Sequence, residues 1–238
     1  MSHFEKLIDH FQRYYYSQLL MFVVELIALV IAILYVRKDK IGRFFIFYIG
    51  FDFCILIIDI YLRSDPKMSW KSFNHFANFT NPLIGLTELL VYYYFFSKII
   101  FNTKVKYLMN LFAILYSITV ILFTATGFNF LSTRFNYIAK LIEVIEFLFL
   151  IPPCCIFFYE ILNANTKLTL FERPSFWIVT GIFFFSIISI PYYLIGQYFI
   201  INNHELRHIL PAALYYVPFT LNFVFLIKAF LCKKTLTT

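Results

Sequence analysis

Residues 44–63 read FFIFYIGFDFCILIIDIYLR. The run is long and apolar enough to cross a bilayer as a helix, for which about 20 residues suffice. It nevertheless carries two carboxylates, Asp52 and Asp59. Their spacing is two helical turns, which puts both on one face. Placing a charged side chain at the centre of a bilayer costs roughly 2.5–3.5 kcal/mol even on the mildest scale. Such a charge has to be met by water, a partner side chain, a proton or a ligand.

The pattern repeats outward from this stretch. Seven apolar runs predict spanning helices at 17–36, 44–62, 82–101, 107–125, 137–160, 175–197 and 209–231, joined by short loops. The fold class expected is therefore all-α, a polytopic seven-transmembrane-helix bundle. Composition agrees: of 238 residues 61% are hydrophobic, 22% aromatic and only 14% charged. A soluble domain of this length carries far more charge. Residues 1–16 place Phe4, Leu7, Ile8, Phe11 and Tyr15 on one face, the signature of an interfacial amphipathic helix. No small-residue cleavage site follows the first apolar run, so no cleavable signal peptide is expected.

Orientation follows from the basic residues. Arg37, Lys38, Lys40 and Arg43 occupy the first loop. Lys98, Lys104, Lys106, Lys167, Arg173, Lys228, Lys233 and Lys234 join them at the same end of a seven-span bundle. That end holds most of the 20 Lys and Arg. The positive-inside rule then puts the N-terminus outside and the tail, 233–238, in the cytoplasm. The net charge of +7 is thus assigned to topology and membrane lipids rather than to nucleic acid.

Prolines divide the chain. The first four predicted helices have none in their interiors, whereas Pro152–Pro153, Pro191 and Pro218 interrupt the last three. Each removes a backbone donor and can kink its helix. A faint internal repeat aligns helix 2 with helix 6, Gly50 with Gly181 and Tyr61 with Tyr192, and FFSKIIFNTK with FLIKAFLCKK. It suggests a 3+1+3 arrangement of parallel repeats, a plan known among transporters.

Six carboxylates fall within the predicted spans: Glu25, Asp52, Asp59, Glu88, Glu143 and Glu146. On the topology above, all but Asp52 lie in the outer halves of their helices, and Asp52 lies just below. This predicts an acidic vestibule open to the outside and tapering toward Asp52. Lys140, three residues before Glu143, is the expected internal partner. Such a site suits a cation, a metal, a proton relay or an amine. The competing reading is structural, with the acids paired to Lys140, tyrosine hydroxyls and backbone to hold helices together.

Histidines offer a second site. His204 and His208 lie four apart in HELRH, with His75 in the outer loop before helix 3. This set could share a metal. The HxxxH spacing also occurs in intramembrane hydrolases related to alkaline ceramidases, but their early-helix histidine and its serine partner are missing here. Lys228 reads as a snorkelling lysine near a helix end rather than a Schiff-base lysine. The four cysteines have no metal or disulfide spacing. Neither a phosphate-binding loop nor a nucleophile elbow is present, and no cofactor is expected.

At FERPSFWIVTGIFFFSIISIPYYL, residues 171–194, and LIKAFLCKK, residues 226–234, the chain resembles short heptahelical membrane proteins of Bacteroidota. The resemblance implies a bacterial inner-membrane location. Some members are encoded beside sensor histidine kinases, which implies signalling through a membrane partner; no catalytic residue carries over. The function expected is a receptor-like sensor for a small cationic or polar ligand. A small transporter or channel using the same carboxylates is the alternative, and a metal-dependent intramembrane hydrolase the third.

Overall fold

The structure, a computed structural model, describes residues 16–64, 70–127, 133–163, 170–196, 216–232 and 236. The segment 1–15, which holds most of the expected amphipathic helix, lies outside the described residues, as does most of the tail. Within the described residues the chain is all-helical. Seven α-helices follow in order: α1 Tyr16–Tyr35, α2 Lys40–Ser64, α3 Trp70–Ile99, α4 Thr103–Gly127, α5 Thr133–Asn163, α6 Pro174–Pro191 and α7 Val217–Phe230. A 3-10 turn, Leu170–Glu172, precedes α6, and a π-helical turn, Tyr192–Gly196, follows it.

Four segments are long and apolar enough to cross a membrane: Lys40–Leu62, Thr103–Thr126, Leu141–Asn163 and Pro174–Leu194. Leu19–Tyr35 and Val217–Phe230 are shorter apolar helices. The exposed faces suit a lipid solvent. On α4 the outward side chains include Ile114, Leu115, Ile118, Ile121 and Leu122, all at least half-exposed or nearly so.

The helix ends explain why several helices outrun their apolar cores. Asp39 Oδ1 accepts from the backbone N–H groups of Ile41 (2.8 Å) and Gly42 (3.4 Å), so α2 begins at Lys40. Asn102 Oδ1 does the same for Lys104 and Val105 at the start of α4. Both are side-chain caps of otherwise orphan donors. Glu160, near the end of α5, takes the N–H groups of Phe101 and Asn102 and so ties the α3–α4 turn to α5. A Cβ on Gly42 would collide with the Val36 carbonyl, so the tight α1–α2 turn needs glycine there.

The largest difference from the sequence expectation is in α3. It starts at Trp70, not 82, so most of the predicted outer loop is helix. Asn74, His75, Asn78 and Asn81 hid this stretch from a reading based on apolar runs. In consequence Pro82 lies inside α3, and the first four helices are not free of interior proline. Pro218 falls where a π-helical turn at Tyr216 passes into α7.

Packing closes six helices into a ring: α1 against α2, α2 against α3, α3 against α5, α5 against α6, α6 against α7, and α7 back against α1. The remaining helix, α4, packs outside this ring on α3 and, more lightly, on α5. One of the two helices with three helical neighbours, α3, contributes a dense part of the core: Leu89, Val91, Tyr92, Tyr93, Phe95 and Phe96 are all buried. On α1 the buried stripe is Met21, Glu25, Ala28 and Ala32, continued by Val36 just past its end. Its alanines let neighbouring backbones approach, and its one acid points into the bundle.

Candidate functional site

The interior of the ring is acidic. Glu25 on α1 is 0% exposed, Asp52 on α2 6%, Glu88 on α3 4%, and Glu143 and Glu146 on α5 7% and 1%. Local helix geometry puts each in a buried stripe. Asp52 follows Phe45, Tyr48 and Ile49, and Glu88 precedes Leu89, Val91 and Tyr92. Asp59, two turns along α2 from Asp52, is half-buried.

The acids form a chain of neighbours rather than one ligand cage. Glu25 faces Asp52, with Cys54 also near. Asp52 faces Glu88, beside which stand the hydroxyls of Tyr48 and Tyr92. Glu88 in turn faces Glu146, which neighbours Glu143 on its own helix. Tyr116 on α4 donates a hydrogen bond to Glu146 Oε2 at 2.9 Å. On the other side of the ring, Asn222 Nδ2 on α7 donates to Tyr92 Oη at 3.0 Å. The Tyr48 and Tyr92 rings meet edge-on at 5.8 Å. One polar cluster therefore touches α1, α2, α3, α4, α5 and α7.

Two glycines make room for it. A Cβ on Gly85 of α3 would run into Glu146 Oε2, and one on Gly181 of α6 would lie 2.7 Å from Asn222 Oδ1. Gly181 brings α6 to the edge of the same cluster, and the buried hydroxyls of Ser186 and Ser189 lie on that helix.

The cluster is under-satisfied. Both carboxylate oxygens of Glu25, together with Asp52 Oδ2, Glu88 Oε1, Glu146 Oε1 and Asn222 Oδ1, are buried without a hydrogen-bond partner among the described residues. Among the described residues, the groups that act on Glu25, Asp52, Glu88 and Glu146 are carboxylates, hydroxyls and a thiol, with no basic side chain. A carboxylate shut away from water is strongly disfavoured unless a counter-charge or a proton meets it. Buried polar atoms in native proteins are nearly always paired, so a concentration of unmet ones calls for water, protons or a ligand to meet them.

The backbone of Lys140 lies on α5 ahead of Glu143, and its side chain falls outside the described residues, as does that of His75 on α3. His204 and His208 lie wholly outside them. Among the described residues no three His, Cys, Asp or Glu side chains are arranged to hold a metal ion. Lys228 is exposed, with Nζ 5.9 Å from the Trp177 ring centre.

The sequence points to the acids and to tyrosine hydroxyls as partners, but not to which tyrosines. Tyr48, Tyr92 and Tyr116 were lost among 18 tyrosines. Asn222, the one amide in FTLNFVFLI, was a legible signal. Replacing Tyr116 with phenylalanine tests the cluster's cohesion. The loss expected is about 1 kcal/mol of unfolding free energy, within the range for polar contacts between membrane helices. Thermal or chemical unfolding of the purified variant would read it, and no loss would mean that Tyr116 does not hold Glu146.

Comparison with protein families, with curated proteins and with solved structures finds no match to this chain.

Proposed function

We propose that this chain is a seven-span membrane protein, N-terminus outside, and that it is a receptor-like sensor for a small cationic ligand. The ligand would enter an outward-facing acidic vestibule and end at Glu25, Asp52 and Glu88. The observation that carries this reading is the set of buried carboxylate oxygens on three different helices with no basic group facing them among the described residues. An organic ammonium satisfies several separated acceptors at once, because its N–H groups point in different directions. A chain of acids suits it better than it suits a bare metal ion, which needs a compact shell.

The route of response follows from the ring. A cation drawing Glu25, Asp52 and Glu88 together pulls on α1, α2 and α3. Through Tyr92 and Asn222 the pull reaches α7, and Gly181 links α7 to α6. Pro152, Pro153 and Pro191 and the π turn after α6 are the deformable points on that side. The loops at the basic end are short, so a membrane partner such as a sensor kinase would carry the output. The resemblance to bacterial heptahelical proteins agrees with an inner-membrane setting.

A transporter is the second reading. What favours it is the length of the acidic chain, which runs past the first three acids to Glu146 on the far side of the ring. The two readings separate in one set of measurements. Purified protein would be titrated with alkali cations, small primary amines and quaternary ammonium ions while its unfolding temperature is followed. The same compounds would be tested for flux in proteoliposomes. A sensor gives cation-dependent stabilisation without flux, and a transporter gives both. Neither effect at millimolar concentration would sink the cation reading.

A further inference from the structure

A groove of about 640 Å³ runs between α2 and α3, away from the acidic cluster. Lys40, Arg43, Phe44 and Phe47 form one wall, and Thr87, Leu90, Val91 and Tyr94 the other. Each wall has the i, i+3, i+4, i+7 spacing of a single helix face. The helices are antiparallel, so the walls face each other over roughly 10 Å, the rise of seven residues. The groove is polarised along its length. Its cations stand at one end, where Lys98 also lies with Nζ 5.3 Å from the Tyr94 ring centre. Apart from Thr87 the rest is aromatic and aliphatic, and the Phe44 and Tyr94 rings meet across it at 4.5 Å between centres. Among the described residues no acid lines it. The nearby Asp39 is turned to capping α2.

We propose that this groove binds an anionic phospholipid, its phosphate between Lys40 and Arg43 and one acyl chain along Phe47, Leu90 and Val91. Charge complementarity selects the headgroup. Basic side chains where a helix meets the headgroup layer attract anionic lipids, and the arginine fork matches phosphate geometry. The length and apolarity of the groove select an acyl chain over a soluble phosphate. Phe44, Phe47 and Leu90 are exposed to the medium around the bundle, which gives the lipid a lateral way in. The site rests on the membrane reading of the chain and is independent of the ligand proposed for the acids.

The test uses the full chain in vesicles that contain photoactivatable phosphatidylglycerol or, separately, phosphatidylcholine with the same labelled acyl chain. Labelled peptides are mapped. The expected result is labelling of 43–47 and 87–94 by the anionic probe about five- to tenfold above the zwitterionic one. Lys40→Gln with Arg43→Gln should bring the ratio to about one, whereas Lys104→Gln with Lys106→Gln, the same change of charge elsewhere, should leave it intact. Leu90→Trp, which fills the groove from an exposed position, should cut labelling by both probes. Equal labelling of the wild type by the two lipids, or equal effects of the two charge variants, would overturn the proposal. Labelling of other segments shows that the chain is in the bilayer, whatever the outcome at the groove.

Discussion

Gly85→Val is expected to destabilise the protein by about 1–3 kcal/mol, the usual range for forcing extra atoms into a packed interior, with Gly85→Ala toward the lower end. The site leaves little room for relief. A Cβ there meets not the flexible tip of an exposed side chain but the Glu146 carboxylate, which is held by Tyr116 and is itself buried. Either α3 and α5 separate, or Glu146 turns away and gives up its hydrogen bond. In lipid both are costly, because helix contacts rest on close van der Waals packing with no hydrophobic force between helices to compensate. The collision is specific, so it can be tested by a cycle. Glu146→Ala should absorb much of the Gly85→Ala loss, giving a coupling between the two positions of about 0.5–3 kcal/mol, as for residues in contact. Unfolding of the four proteins in one detergent would measure it. Additive losses would mean that Gly85 and Glu146 do not share this contact, and a fully stable Gly85→Val would mean that α3 and α5 are not so close.

The same glycine shows what could be read from the sequence and what could not. Apolar runs located the helices, because spanning length and hydropathy are properties of single segments. They misplaced the start of α3, because a helix needs backbone hydrogen bonds and not apolar side chains. The polar stretch from Asn74 to Asn81 folds as helix without announcing it. The acids were legible because a carboxylate in an apolar run is costly whatever surrounds it. Their neighbours were not. That Tyr116 on α4 reaches Glu146 on α5, or that Asn222 reaches Tyr92 across 130 residues of chain, depends on the order in which helices pack. Nothing local encodes the ring or the outside position of α4. The same holds for the lipid groove, since each wall is an ordinary helix face until the other is set against it.

Asp52→Asn should weaken the response to cations while leaving the bundle folded. Asparagine keeps the shape of the side chain and takes away only the charge. Asp52 stands between Glu25 and Glu88, so a cation bridging either pair must use it. A charge-assisted hydrogen bond contributes roughly 1.5–3 kcal/mol. Its loss should weaken apparent affinity about 10- to 100-fold, at 1.4 kcal/mol per factor of ten. Asp59→Asn is the control, since Asp59 is only half-buried and two turns away; its effect should stay within about threefold, as for exposed charges. A purely structural cluster predicts something else. If the acids serve to pin helices together, Asp52→Asn should lower the unfolding temperature in the absence of any cation and leave the cation-dependent increment unchanged. Measuring the unfolding temperature of wild type, Asp52→Asn and Asp59→Asn with and without a saturating amine separates the increment from the baseline. An increment that keeps its wild-type size and concentration dependence in Asp52→Asn would remove Asp52 from the binding site, and with it the idea that the acids on α1, α2 and α3 act as one receptor.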